Sequence, residues 1–369
     1  MLTLFAIAFL AAAQQPEPDL PALIATARQQ MAKGEFDSAK ATMTQAWTFA
    51  ETLPREDTRR YDTLKHFVAV LTGMAEYEEA ENYLNLAINW RETINGRSDP
   101  KLADELTQMA HLRRLRGDFS IAMETLQRVL MMRTKTNGNE SIEVADLLSL
   151  QALVCIEQQE NVQAAAFLRQ SLRLRGKLMG EDHPSLVPDL DRLGVTQATL
   201  RSYPDSETAF RRVLIIRETL LGKDDPDLLA TLDGLAYALF GQKKYAEAEA
   251  VYMRQLNLWV KTSTAEHPMV AWSFDKLAIL YQDQKDEPKR KAAADNANAI
   301  RALLFAKGLH NEATIQIASG DRPAAIALLK QAQQALVIKH ERLDKFRQQV
   351  DDLLKEQTTP KSRLKKSEK

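Results

Sequence analysis

Cysteine is almost missing from this sequence. A single Cys155 sits in the apolar run LLSLQALVC, so no disulfide or zinc framework can form within one chain. A small buried core residue is the reading that fits it. Excess charge of either sign is missing too: 49 basic residues face 50 acidic ones, for a net charge of -1. That balance excludes a global field drawing the chain to nucleic acid or to an acidic membrane. Aromatic residues are only 7%, while Ala, Leu, Gln, Arg and Glu abound, a bias toward helix. Long apolar runs are confined to the amino terminus, MLTLFAIAFLAAAQQPEPDLP, where residues 2–13 are apolar except Thr3. The run is too short to span a bilayer but has the length of a signal-peptide core, and Ala11-Ala12-Ala13 supplies a small-residue cleavage site. No Lys or Arg precedes it. The expectation is a signal peptide over 1–13 and an exported protein, periplasmic or secreted and bacterial. The competing reading is a hydrophobic first helix of a cytoplasmic chain.

Catalytic signatures are missing as well. There is no HExxH (His340-Glu341 is followed by Arg342, Leu343 and Asp344), no G-x-G-x-x-G, no GxxxxGK[ST] and no G-x-S-x-G. The six histidines, at 66, 111, 183, 267, 310 and 340, do not cluster. The expectation is therefore a chain without an active site, cofactor or metal. Asn139-Glu140-Ser141 matches a glycosylation sequon and reads as chance.

What is present is a period. Pro100, Pro184, Pro226 and Pro268 keep a beat of 42, with Ile142 and Thr58 filling the remaining slots. Gly96, Gly138, Gly180 and Gly222 stand four residues before the slot in each unit. Six residues after it come Leu64, Leu106, Leu148, Leu190, Leu232 and Phe274; ten after come Val68, Ala110, Ala152, Gly194, Ala236 and Ala278. Each unit decodes as two helices. The first opens at the slot, where proline's missing N–H costs nothing, with Asp99, Ser141 and Asp225 as N-caps. It closes at a polar break: Thr72–Tyr77, Arg116–Phe119 or Gly241–Tyr245. The second runs to the glycine, which suits a position beyond the helix end. Two such helices cannot bury their apolar stripes alone, so neighbouring pairs must stack.

The pattern Leu190-x-x-Leu193-Gly194, then Tyr203, Ser206 and Phe210, resembles the tetratricopeptide repeat. It recurs as Leu232-x-x-Leu235-Ala236, then Tyr245, Ala248 and Tyr252. The period of 42, with His-Pro or Asp-Pro opening units, resembles the kinesin-light-chain-like subclass. The resemblance implies an all-α fold, a right-handed superhelical solenoid of antiparallel helix pairs. The repeats span 58–309, with a degenerate first pair over 20–57 (GEFDSAKATMTQAW, out of step by one residue). Residues 310–357 read as a capping unit whose opening helix after Gly308 is short and whose second helix is long. A basic disordered tail follows over 358–369. From Leu329 to Leu353 the three-four spacing is unbroken except at Lys339. Its near half reads as a cap, and Leu336, Leu343, Phe346, Val350 and Leu353 as the seam of a possible homodimer.

The segment EDHPSLVPDLDRLG, Glu181 to Gly194, looks at first like a ligand set. His183 and His267 lie two units apart, however, roughly 20 Å for packed helices, and cannot share a metal. Asp189 and Asp191 are two apart on a helix and diverge. The segment reads as punctuation between units. The resemblance also implies work through a concave surface lined by first helices. Families that grip a terminal carboxylate place Lys and Asn there; the slots here carry Thr107, Ser149, Asp191, Asp233 and Asp275, so that clamp is absent. What remains is a row of Asp191, Asp233 and Asp275 beside Val195, Tyr237, Phe240 and Ile279, with Trp272 near a helix start. The expectation is a non-catalytic scaffold whose groove takes a peptide or protein with apolar anchors and a basic residue. The competing reading makes the apolar residues inter-helix packing and the acids a solvated face. Self-association through the C-terminal helix, or service as accessory subunit of a separate enzyme, are the alternative functions.

Overall fold

Turn chemistry decides where the helices stop. The computed structural model describes residues 17–97 and 99–359, so the expected signal peptide and nearly all of the expected tail lie outside the described residues. All regular structure among them is helical, and the chain divides into two units, one ending at Gly180 and one beginning at Glu181. The first unit holds α1 (Leu20–Ala32), α2 (Phe36–Ala50), α3 (Thr58–Gly73), α4 (Tyr77–Asn95), α5 (Leu102–Arg116), α6 (Phe119–Asn137), α7 (Ile142–Glu157) and α8 (Asn161–Met179). The second holds α9 (Val187–Thr199), α10 (Tyr203–Leu221), α11 (Leu228–Gly241), α12 (Tyr245–Thr262), α13 (Pro268–Asp283), α14 (Glu287–Ser319), α15 (Arg322–Ala335) and α16 (Glu341–Thr358). Within each unit consecutive helices pack as pairs and the pairs stack, α1 also meeting α3 and α9 meeting α11. None of the described helices is long and apolar enough to cross a membrane.

The three polar breaks fall between helices as the sequence predicts. Inside each break, and at the same point of the period in the other units, one residue takes a left-handed conformation. These are Ala75, Gly117, Gln159, Arg201, Lys243 and Lys285, at φ between +59° and +89°. The next N–H then reaches back to the last turn, as Glu76 to Leu71 O (2.9 Å) and Lys244 to Leu239 O (3.0 Å), which satisfies a carbonyl that the helix end would leave bare. Between pairs, Gly222 sits at φ +89°, ψ 168°, a region open essentially to glycine alone.

The residue before each slot caps the next helix. Ser141 accepts from the Val144 N–H at 3.3 Å. Asp99 and Asp225 accept from Lys101 and Asp227, and there the regular helix begins two residues beyond the proline, at Leu102 and Leu228. His183 does the same work, its Nδ1 accepting from the Ser185 N–H at 3.2 Å. The core is built from the repeated columns: Leu64, Leu106, Leu148, Leu190 and Leu232 on first helices are buried, and so are Ala80, Ala122, Ala164, Ser206 and Ala248 on second helices. Gly194 lets the Phe210 ring close against it, and the Ser206 hydroxyl donates to the Gly194 carbonyl at 2.8 Å.

The C-terminal part differs from the sequence expectation in two ways. Gly308 opens no new helix; it lies inside α14, which runs without a break for 33 residues. The span Leu329–Leu353 is not one helix either. It breaks at Leu336–His340, where His340 caps α16 through Nδ1 and the Arg347 guanidinium donates to the carbonyls of Leu336 and Ile338 at 2.9 Å. The three-four spacing survives the break because both helices turn their apolar stripe to the same cluster. Leu336, Leu343 and Val350 are fully buried there against α14 and α15, with Phe346 and Leu353 packed on the rim. The five side chains expected at a homodimer seam therefore belong to the protein's own core.

Candidate partner-binding faces

The acidic row resolves into pairs. Asp191 accepts from Arg217 at 2.6 Å, and Asp275 is paired with Arg301, each partner lying in the second helix of the pair. The same column continues through the first unit: Arg175 holds Asp146 at 2.6 Å, Arg133 holds Asp104, and Arg91 bridges Asp99 and Glu105. Five arginines spaced by 42, or twice 42, thus tie second helices to first helices. The ladder stands in the sequence as a column of its own, but a groove is lined by first helices and these arginines sit on second ones. Its consequence is a correction: Asp191 and Asp275 are neutralised by their own chain and do not stand free to orient a basic ligand.

Asp233 is the exception. Trp259 occupies its arginine slot, and Asp233 Oδ1 is buried without a partner. Burial pushes its carboxyl above the ordinary aspartate range, against the pull of Lys276 and Gln255. Burial likewise raises Asp191, with Arg217 opposing.

The apolar candidates separate. Val195, Tyr237 and Ile279 are 59%, 43% and 53% exposed, so they are not the inter-helix packing that a repeated apolar column usually marks. They hold one slot on α9, α11 and α13. Tyr203 meets the Tyr237 ring edge-on at 6.1 Å. Phe240 does pack inward, beside Tyr245 and the cluster of Phe210, Leu239 and Tyr252. Trp272 is half-buried with the Lys276 ammonium 4.5 Å over its ring. In the first unit the same slot is different: His111 and Leu153 are half-buried.

The first unit instead carries cavities along its first helices, which the sequence did not reveal. One of about 540 Å³ is lined by Tyr61, Lys65, Lys101, Glu105, Gln108 and Arg133 among others. A second, of about 500 Å³, shares Lys65, Thr107 and Gln108 and is walled by Val68, Ala69, Leu112 and Leu150. At the first, Glu105 is only 3% exposed. Its Oε1 accepts from the Tyr61 hydroxyl and from Arg91 Nε (3.1 Å) and Nη2 (3.0 Å), while Oε2 has no partner. An unmet buried acceptor of this kind costs about 1–3 kcal/mol, and more when charged.

Among the described residues no three His, Cys, Asp or Glu side chains gather as a metal would need. Cys155 is buried, which pushes its thiol up to about 11, far from a reactive thiolate.

Profiles of the tetratricopeptide repeat family match residues 190–227 and 227–289. No curated protein matches the sequence. Among solved structures, the chain is similar to BtubC (BKLC) from P. vanneervenii, with 19% identity, TM-score 0.50, and 67% of this chain covering 93% of that one. It is similar to the signal-transduction ATPase with a tetratricopeptide repeat sensor from Pyrococcus horikoshii, with 13% identity, TM-score 0.57, and 76% of this chain covering 41% of that one. A crystal structure of nearly identical TPR-like repeats, described as a kinesin light chain of Podosopora anserina, aligns at 21% identity and TM-score 0.49, covering 56% of this chain and 97% of that one. At such identities the likeness speaks for the fold. Tetratricopeptide repeats are thus matched over residues 190–289, within a chain whose helix pairs stack in each unit and whose sequence keeps a period of 42.

Proposed function

We propose that the protein is a non-catalytic interaction scaffold that docks a peptide or protein on the first-helix face of its second unit. One observation carries this reading. Val195, Tyr237 and Ile279 stand in solvent at one repeated slot on α9, α11 and α13, where each could bury apolar area on a partner at about 25 cal/mol per Å². Aromatic and branched anchors of this kind dominate interface energies. The half-buried Trp272 and the acid Asp233 flank them as orientation groups; Asp191 and Asp275 serve the ladder instead. The test is selection of displayed peptides on the full chain, followed by titration of the variants Tyr237→Ala and Ile279→Glu. The expected result is a loss of about tenfold or more in affinity with unchanged melting temperature. Selected ligands that bind both variants as well as the parent would remove this face from consideration.

A further inference from the structure

Three helix starts in the second unit are capped by histidine. His183 ahead of α9, His267 ahead of α13 and His340 ahead of α16 each accept a backbone N–H on Nδ1, from Ser185, Met269 and Arg342, all at 3.2 Å. In the first unit Asp19, Asp57 and Ser141 do this work. Two of the histidines precede proline, which confines them to the extended backbone an N-cap needs: φ −69°, ψ 136° at His183 and φ −64°, ψ 139° at His267.

A histidine cap differs from a serine or aspartate cap in one respect. Nδ1 accepts only while it carries no proton. Protonation turns that acceptor into a donor aimed at another donor, and it sets a positive charge at the positive end of the helix dipole. Imidazole is the side chain whose charge changes between about pH 5 and 8.

The charged groups around the three rings are mostly engaged or cationic. Beside His183, Glu181 is held by Arg212 of α10 at 2.8 Å, Asp182 is exposed, and the Ser185 hydroxyl meets the same Nδ1 at 2.9 Å. Beside His267, Glu266 is paired with Lys307 of α14, and Arg342 of α16 reaches the Ala265 carbonyl at 3.5 Å. Trp259 of α12 stacks on the His267 ring at 5.0 Å and 10°; an aromatic face attracts a cation, so this contact works against the departure of a protonated ring. In the turn of His340, Lys339, Arg342 and Arg347 stand against Glu341, and Arg347 donates to the Leu336 and Ile338 carbonyls.

We propose that the second unit loosens on mild acidification: protonation of His183, His267 and His340 uncaps α9, α13 and α16 and opens the turns in which these helices begin. The turn at 263–267 joins α12 to α13 and so sets Ile279 on α13 against Tyr237 on α11. A partner on that face is therefore released in acid. Release alone rests on the docking reading above; the loosening does not.

The test compares the full chain with a variant carrying His183→Asn, His267→Asn and His340→Asn, unfolded in urea at pH 7.5 and pH 5.5. Asparagine is among the best caps and does not titrate. His66, His111, His310, Asp233 and Glu207 are present in both proteins and cancel. Between the two pH values the parent midpoint should fall about 1 M further than the variant's. A difference between the proteins that is the same at both pH values overturns the proposal. So does a parent that gains on the variant in acid, which would mean that Trp259 keeps the protonated ring in place. His267→Asn alone should recover about a third of the effect and decides the matter where the triple variant folds poorly. A histidine-free peptide that loses affinity to Tyr237→Ala is then titrated at both pH values. It should bind the parent about tenfold more weakly at pH 5.5 and the asparagine variant equally at both. An equal loss in both proteins, or none in either, overturns the release. Where no selected peptide depends on Tyr237, the docking reading falls and the urea comparison still decides the loosening.

Discussion

Asp233 on α11 and Trp259 on α12 hold the same chain spacing, 26, that joins Asp191 to Arg217 and Asp275 to Arg301. They do not pair with each other: Asp233 Oδ1 and Trp259 Nε1 are both buried and unbonded. The indole is engaged elsewhere, stacked on His267 at 5.0 Å and packed against the cluster of Leu228, Leu229 and Leu232. The ladder thus trades one ion pair for apolar packing and leaves an acid behind.

That trade predicts that Asp233→Asn stabilises the protein. Burial raises the folded carboxyl above its ordinary range, so the folded state holds this proton where the unfolded chain has released it. Stability from this group is therefore greatest at low pH and is lost as pH rises from the ordinary aspartate range through the raised value. At pH 7 the asparagine variant should gain about 1 kcal/mol, and near pH 3 the two proteins should unfold at the same urea midpoint. An equal gain at both pH values would mean the charge is not the cause.

Glu207 predicts the opposite slope. Burial by itself would raise its carboxyl, but Lys244 (2.8 Å), Arg211 (2.7 Å) and Gln242 (2.7 Å) donate to it and together bring it down to about 2. The folded value is depressed, so its stabilisation is present above the ordinary glutamate value of 4.5 and lost as pH falls from there toward 2. Glu207→Gln should cost about 2–3 kcal/mol at pH 7. Chemical denaturation from pH 7 down to pH 2.5 should show that cost shrinking steadily.

Much of this fold was legible because its markers are local. A glycine forced beyond a helix end, a capping Asp, Ser or His, and a polar break each act within a few residues, and the period multiplies them. The facing of a column was less legible. Ala236 and Tyr237 both belong to repeated columns, yet the first is buried and the second exposed, since period alone does not say which way a side chain turns. The partners of the arginine ladder were not legible, because for four of the five arginines they lie on the other helix of a pair, at spacings of 26 or 29 along the chain. The Glu105 cavity left no trace at all, because it comes from how neighbouring side chains fail to fill a space. The C-terminal stripe was misread for a related reason: three-four spacing looks alike in one long helix and in two helices sharing a core.

The glycine between pairs predicts a backbone penalty without a clash. At Gly222 no atom lies within 4 Å of where a Cβ would stand, yet φ is +89° and ψ 168°. Gly222→Ala should therefore cost about 1–3 kcal/mol from strain alone. Asparagine, which eases ordinary left-handed positions, should bring little relief, because those lie near ψ of about +47°. Matched denaturation curves for Gly222→Ala and Gly222→Asn test this; a near-neutral asparagine would show that the turn relaxes into the left-handed helical region instead.

The last prediction separates a core from a seam. Leu343 is fully buried against residues of α14 and α15, so Leu343→Ala should cost about 2–5 kcal/mol. Light scattering on the same variant should return the mass of the parent protein, because the lost contacts are within one chain. A seam between two copies predicts the reverse, a halved mass that recovers as protein concentration rises. Phe346→Ala sharpens the comparison: its ring meets His310 of α14 at 5.4 Å, and it should lower stability less than Leu343→Ala, again with no change in mass.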